Sequence, residues 1–282
     1  MASLGRGANY LPPEALSHAL LRGVRVAGAF ARDPREAVGR AREQISERRD
    51  LRMPVPAYIP DTRWVSTLRE TVTASAGGDE DAEFDEVWRE IQDAFVELHL
   101  PFGRATFGGW DDGDSALARA TWSVVRRLRP LVVVETGVGR GVTTRVILEA
   151  LKRNGQGHLW SIDVPPLLER ELAKETAVIV PESRMKRWTF VQGSSRRRLE
   201  SLVAELGYVD VFLHDSFHSA RNLLFEWETV FPHLRRPGVL LADDVDRNAA
   251  LAEFTRAHPG LDRIVCRHSD GAALFAVLVA RN

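Results

Sequence analysis

The chain has 282 residues, of which 44% are hydrophobic and 27% are charged, and its formal net charge is -1. These values are typical of a soluble globular protein, and the near-neutral charge argues against broad nucleic-acid binding. The single cysteine, Cys266, excludes an internal disulfide and suits a reducing compartment. No apolar run approaches the ~20 residues of a membrane span, and Arg22 and Arg25 interrupt the candidate signal-peptide stretch. We therefore expect a cytoplasmic protein with no stable membrane insertion and no nucleic-acid partner.

The first hundred residues are predicted to be mainly helical. Apolar residues recur at helical spacing over 13–30, and this helix either packs on the protein or a partner subunit, or lies on a membrane surface. Asp33-Pro34 starts a second, highly charged helix that extends to about Asp50. Next we expect an extended connector over 51–62, a helix near 64–73, a loop over 74–81 and a helix over 81–100. We assign residues 1–112 to a helical extension that serves oligomerisation or covers the substrate, and we expect a homo-oligomer.

The segment 101–114 mixes glycines, aromatic residues and acids. One interpretation is a lid over a cofactor, with Phe102, Phe107 or Trp110 shielding it. The other is a surface connector whose aromatic side chains fill the core. A helix over 115–128 then leads into the first strand.

A strand, a glycine-rich turn and a helix follow one another in the middle of the chain. The apolar run 131–134 indicates a strand buried on both faces, and the acidic Glu135 closes it. Three glycines come next, namely Gly137, Gly139 and Gly141. Thr143 and Thr144 open a helix that ends at Asn154-Gly155. Because glycines let backbone N–H groups approach a ligand at a helix N-terminus, this unit indicates a nucleotide-type cofactor cradle.

Strands and helices alternate over the remaining residues. Further strands are predicted over 158–163, 186–192, 209–214 and 239–242. The last of these strands follows a helix over 219–234 and a turn at Pro237-Gly238, and a helix over 246–258 comes after it. Two apolar runs, 263–267 and 272–280, flank an Asp-Gly pair, which predicts a hairpin. The sequence therefore predicts an α/β fold with five parallel strands and a C-terminal antiparallel hairpin.

The glycine-rich turn has the spacing E-x-G-x-G-x-G, with Glu135 two residues before the first glycine. It resembles motif I of the class I methyltransferases that use S-adenosylmethionine (SAM), and the resemblance covers residues 113–282. This resemblance implies a Rossmann-like methyltransferase sheet whose glycine loop and Thr143 bind SAM, with Glu135 near the methionine ammonium. It also implies that Asp163, at the end of the second strand, accepts the ribose hydroxyls and that Ser194 or, alternatively, Ser195 contacts adenine.

Acidic residues follow two neighbouring strands of the predicted sheet. Asp215 comes after the fourth strand, and Asp243 and Asp244 come after the fifth. Three carboxylates in one crevice repel one another unless a cation lies between them or one takes up a proton. Oxygen ligands in this number suit Mg²⁺. The ordinary alternatives are a helix N-cap for Asp215 and solvation of the loop by the other two.

The spacing D-x-x-H, followed by an acidic pair after the next strand, resembles two groups of enzymes. These are the metal-dependent O-methyltransferases of macrolide sugars and the cephalosporin-hydroxylase-like group. The resemblance implies three metal ligands, namely Asp215, Asp243 and Asp244. It also implies that His218 is the catalytic base and that Asp215 takes part in catalysis and lies near SAM. The relatives more often have Glu-Asp where this chain has Asp-Asp. His214 is expected to be structural, and the run Arg196–Arg198 is expected on a solvated helix face or, alternatively, in a phosphate site.

We therefore expect a SAM-dependent O-methyltransferase that acts on a hydroxyl group of a small molecule, such as a natural product or a sugar. His218 acts as general base, while Mg²⁺ orients the hydroxyl and lowers its pKa. One alternative is an NAD-dependent oxidoreductase, but a dinucleotide fingerprint would have a small residue where Val142 stands. Another is a non-catalytic SAM-binding partner in a biosynthetic complex, which leaves the base and the acids unexplained.

Overall fold

The structure, a computed structural model, describes residues 33–72, 79–166 and 169–281. Its helices are α1 (Pro34–Asp50), α2 (Trp64–Thr71), α3 (Glu80–Glu97), α4 (Ser115–Leu128), α5 (Val142–Asn154), α6 (Arg170–Ala173), α7 (Ser195–Leu206), α8 (Ala220–Val230) and α9 (Ala250–Ala257). Its strands are β1 (Val132–Thr136), β2 (His158–Asp163), β3 (Trp188–Gln192), β4 (Val209–His214), β5 (Leu234–Ala242), β6 (Leu261–Arg267) and β7 (Leu274–Ala280). The helix predicted over 13–30 lies outside the described residues. None of the helices in the described ranges is long and apolar enough to cross a membrane.

The seven strands form one sheet in the order β3-β2-β1-β4-β5-β7-β6. The first five of these strands pair in parallel, and β7 is antiparallel to both of its neighbours. This arrangement confirms the predicted α/β class with five parallel strands and a terminal hairpin. The chain order reverses between β1 and β4, and ligands bind at such a switch point, outside the carboxyl ends of the strands.

The central strand is buried on both faces, as its apolar sequence predicts. Val133 faces one hydrophobic cluster and Val134 faces the other, because successive side chains of a strand point to opposite faces. The first cluster includes Trp122 of α4, and the second includes Trp227 of α8. Each cluster therefore holds a layer of helices against one face of the sheet, which leaves the carboxyl edge free for a site.

The helical extension shares the first of these clusters. Four apolar side chains of α3 are fully or almost fully buried there, at the spacing of one helix face: Phe84, Val87, Ile91 and Phe95. The packing of α3 against α4 and α5 joins the extension to the sheet through apolar contact. The division into domains 1–112 and 113–282 stays a prediction.

One local prediction is wrong. The turn predicted at Pro237-Gly238 lies inside β5, which begins at Leu234 rather than at Val239. Leu234 pairs with Val209 of β4, and Gly238 pairs with Ala280 of β7. Residues 235–237 are exposed, and the pairing with β4 is irregular there, so the Pro-Gly pair is accommodated in an irregular part of the strand rather than in a turn.

Candidate active site

The glycine loop between β1 and α5 depends on a close backbone approach. Gly137 has a φ of 86°, and a Cβ there would lie 1.7 Å from the carbonyl oxygen of Asp215. Only glycine fits such a contact, because any side chain would collide with fixed backbone. Gly141, with a φ of 97°, is similarly crowded, since a Cβ would lie 2.7 Å from Val180 Cγ2. The loop that follows β1 is thus pressed directly against the segment that follows β4.

Asp163 braces the same loop. Its Oδ2 accepts hydrogen bonds from the backbone N–H groups of Val138 (3.1 Å) and Gly139 (3.2 Å), and Oδ1 accepts one from Val164 (2.6 Å). Burial raises the pKa of Asp163, and these donors together with the charge of Arg40 act against that rise. A carboxylate offers about four acceptor positions, so one remains for a ribose hydroxyl. The ribose contact itself stays a prediction.

Glu135 lies beneath the loop rather than at its surface. Its carboxylate is fully buried and accepts hydrogen bonds from Thr143 Oγ1 (2.8 Å), Thr144 Oγ1 (2.7 Å) and Ser161 Oγ (2.7 Å). Burial raises the pKa of Glu135 to about 7, and the three hydroxyl donors partly oppose that effect. Both Glu135 and Thr143 therefore turn toward the interior. Their predicted contacts with SAM stay predictions.

A cavity lies along the carboxyl edge of the sheet, next to the glycine loop. Gly137, Asp163 and Ser194 line it, and α1 covers it from outside. Glu135, Thr143 and the other two glycines of the motif, Gly139 and Gly141, are not among the lining residues. The structure thus brings together the residues predicted to contact the ribose and the adenine, at the ends of neighbouring strands.

The three predicted acids lie at the ends of β4 and β5 and face histidines. His218 Nδ1 lies 2.7 Å from Asp244 Oδ2, and its Nε2 lies 3.8 Å from Asp215 Oδ1. Burial acts to lower the pKa of His218, but its contacts with these two acids outweigh that effect and raise the pKa well above the ordinary value. Burial also raises the pKa of Asp215 to about 6. His218 is therefore fixed at one nitrogen by Asp244 while its other nitrogen faces Asp215.

The donor set fits a cation. One group consists of ligand atoms of Asp215, His218 and Asp243, all within 4.8 Å of one another. A second group shares Asp243 and adds Asp244 and His268 within the same limit. Within the described part of the chain, the buried His218 Nε2 has no hydrogen-bond partner, whereas Asp243 Oδ1 and His268 Nε2 face each other at 2.7 Å. Carboxylate oxygens favour Mg²⁺, whereas imidazole nitrogens also suit transition metals. Asp215 and Asp243 thus meet as predicted, while Asp244 is paired with His218.

Two further residues, His268 and Asp114, belong to this cluster and were not predicted from the sequence. His268 Nε2 lies 2.7 Å from Asp243 Oδ1, and its Nδ1 lies 3.9 Å from Asp114 Oδ1. Burial acts to lower the pKa of His268, but Asp243 raises it to about 9. Asp114 also caps α4 and accepts a hydrogen bond from the backbone of Ser269 at 2.8 Å. The sequence predicts the hairpin that contains His268. It does not predict that this hairpin lies beside β5, because that depends on the order of the strands in the sheet.

His214 lies below the cluster in a buried polar network. Its Nδ1 lies 2.6 Å from Glu226 Oε2, and both side chains are fully buried. Thr136, Ser216 and Asn222 also donate hydrogen bonds to Glu226. Burial tends to raise the pKa of Glu226, but His214 and the hydroxyl groups of Ser195 and Thr136 lower it. The network fixes the backbone beneath Asp215, which agrees with the structural role expected for His214.

The segment 101–114 is tied to the glycine loop through Arg140. This buried guanidinium donates hydrogen bonds to Pro101 O (2.6 Å), Thr106 O (3.0 Å) and Asp112 Oδ2 (3.1 Å). Of the aromatic residues, Phe102 packs on Phe95 and Trp88 and so fills the core, whereas Phe107 is buried beside Gly139. Trp110 is half-exposed. Phe102 and Phe107 thus pack inside the protein, as the connector interpretation predicts, and the role of the segment as a lid stays a prediction.

Comparisons with known proteins agree with this geometry. Residues 134–245 match a family described as "Methyltransferase domain". A solved structure of a candidate O-methyltransferase from Klebsiella pneumoniae has 17% identity and a TM-score of 0.52, covering 78% of this chain and 98% of that chain. A candidate caffeoyl-CoA O-methyltransferase from Staphylococcus aureus has 10% identity and a TM-score of 0.50, covering 77% of this chain and 98% of that chain. No curated protein sequence matches the chain.

The structural similarities, at these low identities, show the fold. The family match adds the class of activity, and it spans the glycine loop and the ends of β4 and β5. The chain therefore carries a methyltransferase domain over residues 134–245, and its sheet is that of a Rossmann-like methyltransferase fold.

Proposed function

We propose that the chain transfers the methyl group of SAM to a hydroxyl group of a small molecule, such as a natural product or a sugar. The observation that carries this proposal is the position of the Asp244–His218 pair. His218 lies beside Asp215, and the carbonyl group of Asp215 touches the glycine loop at Gly137. A general base therefore lies next to the loop that binds the methyl donor.

The reaction is an in-line displacement. The substrate oxygen attacks the sulfonium methyl carbon, the O–C bond forms as the C–S bond breaks, and S-adenosylhomocysteine (SAH) leaves with the bonding electrons. The hydroxyl proton passes to Nε2 of His218, since Nδ1 is held by Asp244 at 2.7 Å. Charge is neutralised as the new bond forms, so a dry, aligned pocket favours the step.

A divalent cation is part of the proposal. Asp215 and Asp243 would hold it, with Asp244 as the third predicted ligand, and Mg²⁺ is the ion that carboxylates favour. When bound, the cation would orient the substrate hydroxyl and lower its pKa. The protein residues would keep their own tasks, because Asp244 orients His218 whether or not a cation is present.

The other two functions considered from the sequence have less support. Hydride transfer to NAD is disfavoured by the family match and by the antiparallel strand between β5 and β6. A non-catalytic SAM-binding role gives no reason for a base paired with an acid beside the cofactor loop. We also propose, from the sequence, a cytoplasmic homo-oligomer.

The proposal is tested by measuring SAH formation from SAM with a panel of hydroxylated small molecules, with added Mg²⁺ and with a chelator. We expect at least one alcohol to be methylated and the chelator to suppress its turnover. Asp215→Asn should remove the response to Mg²⁺, whereas His233→Ala, at a half-buried site far from the cluster, should keep it. Methylation confined to nitrogen or carbon acceptors would contradict the proposed reaction.

A further inference from the structure

Helix α1 covers the cavity beside the glycine loop with a mostly polar face. Glu36, Gly39, Arg40 and Glu43 lie on this face at helical spacing, and all four line the cavity. Ala37 is the one apolar residue of α1 that is buried. The helix is therefore docked mainly by polar contacts, which exchange with water more readily than a packed apolar interface does.

Glu36 meets the loop that follows β3. Its Oε2 accepts a hydrogen bond from Ser194 Oγ (3.1 Å) and lies 3.4 Å from Ser194 N, and Arg197 lies 3.3 Å from the same oxygen. Its Oε1 has no hydrogen-bond partner among the described residues. The solvated face predicted for Arg196–Arg198 is thus partly wrong, because Arg197 and Arg196 pair with acids of α1.

Gly39 leaves space on the same face. Glycine inside a helix is unfavourable relative to alanine, so it usually reflects a need for close approach. At Gly39, however, a Cβ would meet nothing within 4 Å, so packing of the protein itself does not require glycine. The missing side chain instead enlarges the cavity next to Asp163 and Ser194.

The side chain of Arg40 reduces the volume of that cavity. Its guanidinium donates hydrogen bonds to the carbonyl oxygens of Val164 and Pro165, beside Asp163. The space open to water there is about 60 Å³, so the cavity is narrow beside Arg40.

We propose that α1 forms the outer wall of the adenosyl subsite. Glu36 accepts a hydrogen bond from the 6-amino group of adenine, Gly39 leaves the space that the base occupies, and Arg40 withdraws from the cavity as the cofactor enters. The ribose is placed by Asp163 at the end of β2, so the base extends toward Ser194 at the end of β3, where Glu36 lies. The proposal rests on SAM as the cofactor but not on the acceptor or the cation.

The first experiment measures SAH affinity by calorimetry for the full chain and for two leucine variants. Gly39→Leu places a side chain in the cavity, and Ala41→Leu places the same side chain on the exposed face of α1. We expect Gly39→Leu to weaken SAH binding at least about tenfold and Ala41→Leu to leave it unchanged, with both proteins folded by thermal melting. Equal affinities for the two variants would overturn the proposal. Absence of SAH binding by the unmodified chain would instead contradict the methyltransferase assignment.

The second experiment compares SAH with S-inosylhomocysteine, in which an oxo group replaces the 6-amino group. The unmodified chain should prefer SAH, and Glu36→Ala should reduce that preference roughly fivefold. Glu47→Ala, elsewhere on α1, serves as the control and should leave the preference unchanged. The ratio is informative because loosening of α1 affects both ligands equally. If Glu36→Ala lowers both affinities by the same factor, Glu36 only docks the helix and the adenine contact is refuted.

Discussion

Two sets of carboxylates lie along the same edge of the sheet and are stabilised in different ways. Glu135 and Asp163, on the β1–β2 side, accept hydrogen bonds only from hydroxyl and backbone amide groups. Asp215, Asp243 and Asp244, on the β4–β5 side, face two histidines and, in one case, an arginine. The first set has neutral donors as its hydrogen-bond partners, and the second has cationic ones.

This difference indicates which side of the edge can exchange protons or bind a cation. Neutral donors fix a carboxylate in place without supplying an exchangeable charge, so the β1–β2 side acts as a rigid support for the glycine loop. Histidines can give up protons and can be replaced as counter-charges by a metal ion. We therefore propose that proton transfer and cation binding belong to the β4–β5 side. The following variants test this division in order of decreasing effect on turnover.

The largest effect is expected for His218→Ala. Loss of the general base should lower kcat by roughly 10²–10⁴-fold. SAH affinity should stay unchanged, since His218 does not line the cofactor cavity. Steady-state kinetics and calorimetry measure the two quantities, and His233→Ala, at a half-buried position away from the cluster, is the control. A similar loss of SAH affinity in His218→Ala would show that the two sides of the edge are not separate.

A smaller effect is expected from pH. Since Asp215 and Asp244 raise the pKa of His218 well above its ordinary value, the imidazole is protonated at neutral pH when no cation is bound. Only the deprotonated form accepts a proton, so kcat/KM should rise with pH, about tenfold per unit below that pKa. Asp244→Asn should lower the pKa of His218 and move the rise to lower pH. NMR titration of the metal-depleted protein gives the same pKa directly, and a value near 6.5 would contradict the prediction.

The smallest effect on turnover is expected at Glu135, where the change is in stability. Burial raises its pKa from 4.5 to about 7, so the folded state binds the proton more tightly than the unfolded chain does. The associated stabilisation is complete below about pH 4.5 and is lost as the pH rises through about 7. Glu135→Gln should therefore gain in free energy of unfolding relative to the unmodified chain between these values, by up to about 3 kcal/mol.

Denaturant unfolding at pH 4.5, 6 and 8 measures this difference, with Glu97→Gln, at an exposed position of α3, as the control. A difference that is constant with pH would mean that Glu135 is ionised alike in both states. The carboxylates on the β1–β2 side would then be less shielded from solvent than their neutral hydrogen-bond donors suggest.

Local features of the fold were predictable from the sequence. The bounds of β2 and β4 agree with their apolar runs, and Gly155 caps α5 in the left-handed conformation expected for a C-terminal glycine. Such features depend on a few neighbouring residues. The convergence of Asp215 and Asp243 was also predictable, because parallel strands present their carboxyl ends at one edge.

Contacts between distant residues were not predictable in the same way. His268 reaches Asp243 because β7 is inserted between β5 and β6, and strand order is not encoded in local periodicity. Glu36 reaches Ser194 across a separation of 158 residues through the docking of a polar helix. The hydrophobic pattern that identifies helices does not specify the partner of a polar face.

The contact between Gly137 and the carbonyl oxygen of Asp215 has a consequence for any attempt to redesign this enzyme. It joins, backbone to backbone, the segment proposed to bind the methyl donor and the segment proposed to present the acceptor. A shift of about 1 Å in such an alignment costs roughly 10²-fold in rate. Changes of acceptor preference should therefore be sought in side chains that border the crevice from other segments, and this joint should be left intact.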